Sequence, residues 1–544
     1  MTPPRFRNAR VATLLVAAAW AIGCAREPSS DGPRANAVRV TMSNDPTSLS
    51  LVGNTDQWSA QLARLISDGL VDYDGAARFV PRIARSWAFS PDGRTLTFRL
   101  REDVRWHDGR PVGADDVVFT INKVREPSTQ SRAWAPSFRD LESVEAADPL
   151  TVRARYRVAS ADVLEGWRVP LLPRHILVHE QDLLTSPFAR APVGCGAFRF
   201  VRWEPGREVV LDANAAYWDG PPGVSRLIFR ILADERTAYR ALVRGDIDLL
   251  VATPEIWREA CSSSEGSRFA RFVNHRSAVW YVGWNQDGSN PFFDDPRVRR
   301  AMVLALDRDR FMAQVAHGLG RPVATTWLPG SGWDDPAVRP WPFDPVEAAR
   351  LLDEAGWRDS DGDGTRDRDG VPFAFTFIVP AGGQAIADRM AAWVQDALAR
   401  IGVAASIERL EWRAFQERRR AHAFQAAMAS LFLTPVPDQT ELYHSSSRDG
   451  GYNYGGFADA ETDRILEEGR AILDPVARRA VYARLQARIH ALEPLSPLFQ
   501  FAQPVLHDPR IQGIRPSILG LWDFHPAARA WRWRDASGEA RSFR

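Results

Sequence analysis

The chain has 544 residues, 45% of them hydrophobic, and more than one core is expected because a single hydrophobic core stops growing at roughly 250 to 300 residues. Lysine and arginine number 69 against 68 aspartates and glutamates, a net charge of +1, so no global field draws nucleic acid or anionic lipid. Every basic residue except Lys123 is arginine, spread along the whole chain, and the 20 tryptophans supply material for cores and for an aromatic ligand pocket.

The first element is an apolar run of 13 residues, Val11 to Gly23, preceded by Arg5, Arg7 and Arg10. A spanning helix needs roughly 20 apolar residues, whereas a basic start, a short apolar stretch and a small-residue end make an export signal over 1–23. The run ends in "AIGC", which resembles the lipobox of bacterial lipoproteins. That implies cleavage before Cys24, acylation of its sulfur and new amino terminus, and a chain anchored to the membrane and facing the periplasm or cell exterior. An ordinary signal peptide is the alternative. Residues 24–36, with "AREPSSDGPRAN", lack apolar periodicity and suit a flexible tether. No later apolar run approaches a span, so the remainder is expected to be soluble and globular.

Beyond the tether, periodicity alternates between two and 3.6, the mark of a mixed α/β chain. In "WAFSPDGRTLTFRLREDVRWHDGRP", Leu96, Phe98 and Leu100 alternate with polar residues. The flanking turn signals Pro91-Asp92-Gly93 and His107-Asp108-Gly109 predict an antiparallel meander. "GADDVVFTINKV" carries Asp115 and Asp116 near its start and Val117, Ile121 and Val124 on one face, which predicts a helix. Later helices open at Asp295-Pro296, Asp344-Pro345 and Asp474-Pro475, where aspartate caps free amides and proline fits the first turn. "FAFTFIVP", a helix carrying Ile386, Met390, Trp393, Ala397 and Ile401, the terminating Gly402 and then "VAASI" form a second strand-helix-strand lobe. The apolar segment "SAVWYVGWN" is placed to run between the two lobes, with a boundary near residue 270.

Cys195 and Cys261 are a candidate disulfide in an exported chain, or two free thiols. Enzyme motifs are missing: there is no Gly-x-Ser-x-Gly, no phosphate-cradling loop with Lys and no His-Glu-x-x-His, so no catalytic residue and no cofactor is assigned. His175 and His179 lie four apart in "LPRHILVHE", a zinc spacing that lacks a decisive third ligand. In "DSDGDGTRDRDG", Asp359, Asp361, Asp363, Thr365 and Asp367 alternate, with Gly364 after the third carboxylate, as at the start of a calcium loop. Gly370 stands where the bidentate glutamate is required, and a solvated turn is the competing reading.

The segment "PRIARSWAFSPDGRTLTFRLREDVRWHDGRPVGADDVVFTINKV" resembles the signature region of the family 5 extracellular solute-binding proteins, the dipeptide-, oligopeptide- and nickel-binding components of bacterial ABC importers. "PVGCGAFRFVRWEPGREVVLDANAAYWDGPP", "LVRGDIDLL", "FFDDPRVRRAMVLALDRDRF" and "LLDEAGWRDSDGDG" follow in the family's order. The resemblance runs from about Val38 to Trp533. It implies a two-lobed α/β periplasmic-binding-protein (Venus-flytrap, type II) fold. Lobe I would cover 37–270, with an inserted meander subdomain at about 71–160, lobe II would cover 271–500, and 501–544 would return to lobe I. It also implies a monomeric receptor that captures a peptide-like solute between its lobes and delivers it to an ABC permease in the cytoplasmic membrane, with no nucleic-acid partner. An oligosaccharide, a nickel chelate or another small organic ligand, a sensory or scavenging lipoprotein of the same fold, and an extracellular hydrolase are the alternatives. Peptide-binding members commonly carry a Trp-x-x-Asp-Tyr-like stretch whose first acid pairs with the peptide's amino group. In "LFLTPVPDQT" Phe432 replaces the tryptophan, Pro435 stands at the acidic position, and Asp438 remains. The candidate ligand-binding residues are Trp280, Tyr281, Asn285, Asp438, Asn453 and Tyr454, and His444 in "ELYHSSS" is a weaker candidate for a metal chelate.

Overall fold

A computed structural model of the protein describes residues 36–534 apart from 54–55, 132, 276 and 382–384. The export signal over 1–23, Cys24 and the tether through residue 35 lie outside the described residues.

Twelve strands form one sheet. In chain order they are β1 (Ala37–Met42), β2 (Phe198–Glu204), β3 (Glu208–Ala213), β4 (Arg226–Ile231), β5 (Leu249–Val251), β6 (Ala270–His275), β7 (Ala278–Trp284), β8 (Gly320–Pro322), β9 (Ala374–Pro380), β10 (Ala404–Leu410), β11 (Ala426–Phe432) and β12 (Leu495–His507). Their order across the sheet is β10-β9-β11-β7-β12-β5-β1-β4-β3-β2, and β6 and β8 also pair with β12. β12 is the shared member. Its first part, Leu495 to Phe499, pairs antiparallel with β7, and its last part, Val505 to His507, with β5.

Two hydrophobic cores lie on either side of that change of partner. One gathers Val38, Leu62, Phe98, Ile121, Trp167, Leu227 and Trp531. The other gathers Val282, Trp284, Phe293, Met302, Trp357, Phe377, Met390 and Phe499. A third cluster, with Tyr281, Trp327, Ala427, Tyr443, Leu466 and Leu485, covers the opposite face of β7 and β11. The chain passes from the first core to the second at the step from β6 to β7 and again within β12. Along the seam, Tyr73, Leu519 and Phe524 from the first half pack with Val279, Val323, Leu328 and Leu433 from the second.

The strand Thr95–Leu100 buries Leu96, Phe98 and Leu100 and exposes the intervening positions more, as its alternation requires. It pairs antiparallel with Ala84–Phe89, as read from the sequence. Its other neighbour is Thr151–Tyr156, and Leu141–Asp148 takes the edge of this four-stranded sheet. Burial explains that departure from simple meander order: Val152, Ala154 and Tyr156 enter the core, whereas the 141–148 strand is mostly exposed. Helix α1 (Ala114–Arg125) adds Val117, Ile121 and Val124 to the same core.

In the second half the helices used below are α2 (Trp412–Arg420), α3 (Ala460–Ala471) and α4 (Pro475–Leu492). The Asp-Pro starts behave as read. Asp295, Asp344 and Asp474 accept hydrogen bonds from the amides of Arg297 (2.8 Å), Glu347 (2.9 Å) and Ala477 (2.8 Å), with proline at the first helical position.

Cys195 and Cys261 are free, which corrects the candidate disulfide. Cys195 is fully buried in the first core beside the Ser67 hydroxyl, 3.4 Å away, while Cys261 is exposed on the helix Pro254–Ser262. The flanking glycines are needed because the chain crosses a helix end here: a Cβ at Gly194 would lie 2.0 Å from the Ile66 carbonyl oxygen. Burial pushes the Cys195 thiol up to about 12, and the thiolate is the reactive form. A thiol reagent is therefore expected to label Cys261 in the folded protein and Cys195 only after unfolding, as read by peptide mapping. Labelling of Cys195 under native conditions would contradict the packing described here.

Candidate functional site

The six candidate positions fall into three settings. Trp280 and Tyr281 are neighbours on β7, and successive strand residues point to opposite faces. Trp280 accordingly packs, half-buried, against the second core, while Tyr281 is buried in the third cluster. The Tyr281 hydroxyl accepts a 2.6 Å hydrogen bond from Nη2 of Arg419. The two aromatics thus do not line one wall.

Asn285 and Asn453 are buried and engaged mainly by backbone groups. The Asn285 amide donates to the carbonyls of His422 (2.9 Å) and Phe424 (2.8 Å), and its oxygen accepts from the Asp287 amide at 3.2 Å. Asn453 donates to the carbonyls of His444 (3.1 Å) and Phe457 (2.8 Å) and accepts from the Phe457 amide at 3.0 Å. Both hold turns in place. Tyr454 lies beside them with its ring against the Arg419 guanidinium, 4.2 Å from centroid to Cζ.

Asp438 stands at the seam. Its Oδ1 accepts from the amide and hydroxyl of Thr440 at 2.9 and 2.6 Å, and its Oδ2 is 3.3 Å from Nε of Arg470. Arg470 also reaches Asp140 of the first half at 3.4 Å. Alongside, Arg478 pairs through both terminal nitrogens with Asp162, and Arg139 meets Glu441 at 2.7 Å. Three arginine-carboxylate contacts therefore join the two halves beside Asp438. Sequence reasoning missed Asp140, Asp162, Arg470 and Arg478, because each pair is separated by more than 300 residues and leaves no local pattern.

The segment leading to Asp438 is the end of β11. On one side β11 runs antiparallel to β7 over its whole length; on the other its ladder with β9 covers only Ala426 and Ala427. Among the described residues no strand pairs with that side beyond Ala427. Ser430, Phe432 and Thr434 are exposed there, Phe432 by 63%. The loop that follows is fixed by Trp327, whose indole N–H donates to the Pro437 carbonyl at 2.9 Å.

Asp359, Asp361 and Asp363 bring carboxylate oxygens within 4.8 Å of one another, all exposed. Those oxygens also accept from the loop's own amides, among them Gly362 at 2.8 Å and Thr365 at 2.7 Å. Asp367 turns away to Ser360, 3.0 Å from its amide. His175 pairs with Asp108 at 2.6 Å, while His179 is exposed beyond the end of the four-residue helix Arg174–Leu177, so the two imidazoles do not share a helical face. His444 accepts from the Ser446 amide at 3.1 Å and faces Glu467 at 3.5 Å.

Residues 78–453 match the model of the bacterial extracellular solute-binding proteins, family 5 Middle. The chain belongs to that family. The oligopeptide-binding protein AppA of Bacillus subtilis is 27% identical over 495 residues, covering 89% of this chain and 88% of its own. A structure of the Bacillus subtilis AppA in complex with a nonapeptide has a TM-score of 0.76 at 25% identity, over 92% of this chain and 100% of that one. NikA from Brucella suis, solved in complex with Fe(III)-EDTA, shares the fold with a TM-score of 0.79 at 23% identity, over 91% of this chain and 99% of that one. The family member described here is thus a two-lobed solute-binding protein of mixed α/β structure. Among its described residues no helix is long and apolar enough to cross a membrane.

Proposed function

We propose that the protein is the receptor of an ABC importer, anchored through acylated Cys24, and that it captures a peptide-like solute between its lobes without chemical turnover. The carrying observation is the open edge of β11 from Met428 onward, which leads to the charged seam at Asp438. An extended main chain adds to an unpaired strand edge by backbone hydrogen bonds, with side chains directed alternately to either side. The nonapeptide in the related AppA complex supports this reading. Closure needs a ligand that binds the closed form better than the open one, and a chain laid along β11 at the seam would touch both halves.

Asp438 narrows the ligand. Its charge is matched by Arg470, so a ligand's ammonium group meets no free carboxylate there, and an unpaired buried charge is costly. The proposed solutes are therefore peptides held mainly by their backbone. The test is mass spectrometry of the full chain, purified from the membranes of an export-competent host and weighed folded and then unfolded. The unfolded chain is expected to begin at Cys24 and to carry acyl groups there, and the folded one to carry a ladder of peptide masses in addition. A single non-peptide adduct would replace the peptide reading, and an unacylated chain would remove the anchor.

A further inference from the structure

Arg470, on α3, touches both halves of the protein. Its Nε lies 3.3 Å from Oδ2 of Asp438 in the second half, and its Nη2 lies 3.4 Å from Oδ2 of Asp140 in the first. Nη2 donates a hydrogen bond to Asp140, whereas Nε is buried and has no hydrogen-bond partner among the described residues. The contact with Asp438 is therefore carried by charge and not by hydrogen-bond geometry. Asp438 is committed on one side only: Oδ1 accepts from the Thr440 amide and hydroxyl, and Oδ2 accepts no hydrogen bond among the described residues.

Three carboxylates meet here, Asp140, Asp162 and Asp438, and three guanidinium groups answer them. Arg157 pairs with Asp140 at 3.2 Å, Arg478 pairs with Asp162 through both terminal nitrogens, and Arg470 supplies the third positive charge. The groups act as one cluster: burial raises the Asp162 carboxyl, Arg478 lowers it, and Asp438 and Arg470 act on it in opposite directions. Among the described residues Arg470 is the only cation paired with Asp438. Without it, three carboxylates would face two guanidinium groups, and the place beside Oδ2 would attract a cation.

We infer that Arg470 is a built-in cation that fills the place a solute's positive charge would take at this seam, and that it sets the ligand class. The class is solutes whose end beside Asp438 is uncharged, such as peptides with an acylated amino terminus. An ammonium brought to this place sheds water, meets a carboxylate already neutralised and faces Arg470 as a like charge. A blocked end meets none of these penalties. The inference rests on the reading of β11 and Asp438 as one end of the solute site.

The test uses the full chain, unfolded to free it of solutes and refolded, with two probes that differ in one charge: acetyl-trialanine amide and trialanine amide. The unaltered protein is expected to bind the acetylated probe more tightly by about tenfold or more, the scale of one interfacial charge pair. Arg470→Ala is expected to reverse that order. Equal affinities in the unaltered protein, or an order that Arg470→Ala leaves unchanged, would overturn the inference. If the single variant does not fold, Arg470→Ala with Asp438→Asn removes both charges and is expected to bind the two probes alike; a retained preference would overturn the inference. Methylguanidinium, titrated at constant ionic strength, tests the vacated place without a peptide. It is expected to raise the Tm of Arg470→Ala and not that of the unaltered protein, because a ligand of the native state stabilises it by mass action. If neither peptide binds but that rise appears, the peptide reading falls and Arg470 keeps its role; if the rise is missing as well, both are overturned.

Discussion

Arg478→Met is expected to destabilise the protein by about 3–5 kcal/mol, the usual result of removing one partner from a buried ion pair. Arg478 is 3% exposed and meets both carboxylate oxygens of Asp162, which is 14% exposed, across the seam. Its Nε donates to the Gly469 carbonyl of α3 at 2.9 Å, so one guanidinium ties α4, α3 and the first half together. Burial pushes the Asp162 carboxyl above the usual carboxylate range, and Arg478 works against that push. Without the arginine, Asp162 must either protonate or remain as an uncompensated charge. The double variant Arg478→Met with Asp162→Leu is expected to recover most of the loss, since an apolar pair of similar volume avoids both desolvation penalties. Urea unfolding of the two single variants and the double variant measures this. A loss below about 1 kcal/mol for Arg478→Met, the range of exposed pairs, would show that the seam does not depend on this contact.

That seam also shows what the sequence could and could not convey. The Asp-Pro helix starts were legible because a cap and its amide lie two or three residues apart. The alternation of Leu96, Phe98 and Leu100 was legible for the same reason: a strand's period is local. The neighbour across the sheet was not, because Thr151–Tyr156 reaches Thr95–Leu100 only after α1 and the 141–148 strand have intervened. The candidate site suffered in the same way. Asn285 and Asn453 have the residue type of a pocket wall, yet their amides close turns on backbone groups. Trp280 and Tyr281 could have been separated from the sequence alone, since adjacent residues of a strand face opposite sides. Asp438 was singled out by its position, but the arginine that neutralises it sits on α3 and the partners beyond lie in the first half, at distances no spacing rule spans.

Glu493→Gln is expected to stabilise the protein at pH 8 and leave it unchanged near pH 4. Glu493 ends α4 in a left-handed conformation, φ 48°, with its amide bonded to the Ile489 carbonyl at 2.8 Å. It is 2% exposed, and one carboxyl oxygen accepts from the Trp341 indole at 3.1 Å. Burial is the main cause that pushes the carboxyl from an ordinary 4.5 up to about 7. Arg299 and Arg308 are close by but pull only weakly against it. Their donors are engaged by backbone: Arg299 by the carbonyls of Leu492, Glu493, Phe293 and Asp294, and Arg308 by the Trp341 carbonyl. The folded state therefore keeps a proton that the unfolded chain releases near pH 4.5. Below that value both states are protonated and the group exerts no differential effect. As pH rises towards and past 7, the unfolded state gains and the fold loses up to about 3 kcal/mol from this residue. Glutamine carries the protonated shape without the titration, so the variant should follow the unaltered protein at pH 4 and exceed it increasingly from pH 5 to 8, as read from urea midpoints at each pH. Parallel curves across that range would mean that Glu493 is ionised in the fold, with Arg299 and Arg308 supplying the compensation that their hydrogen bonds to backbone carbonyls argue against.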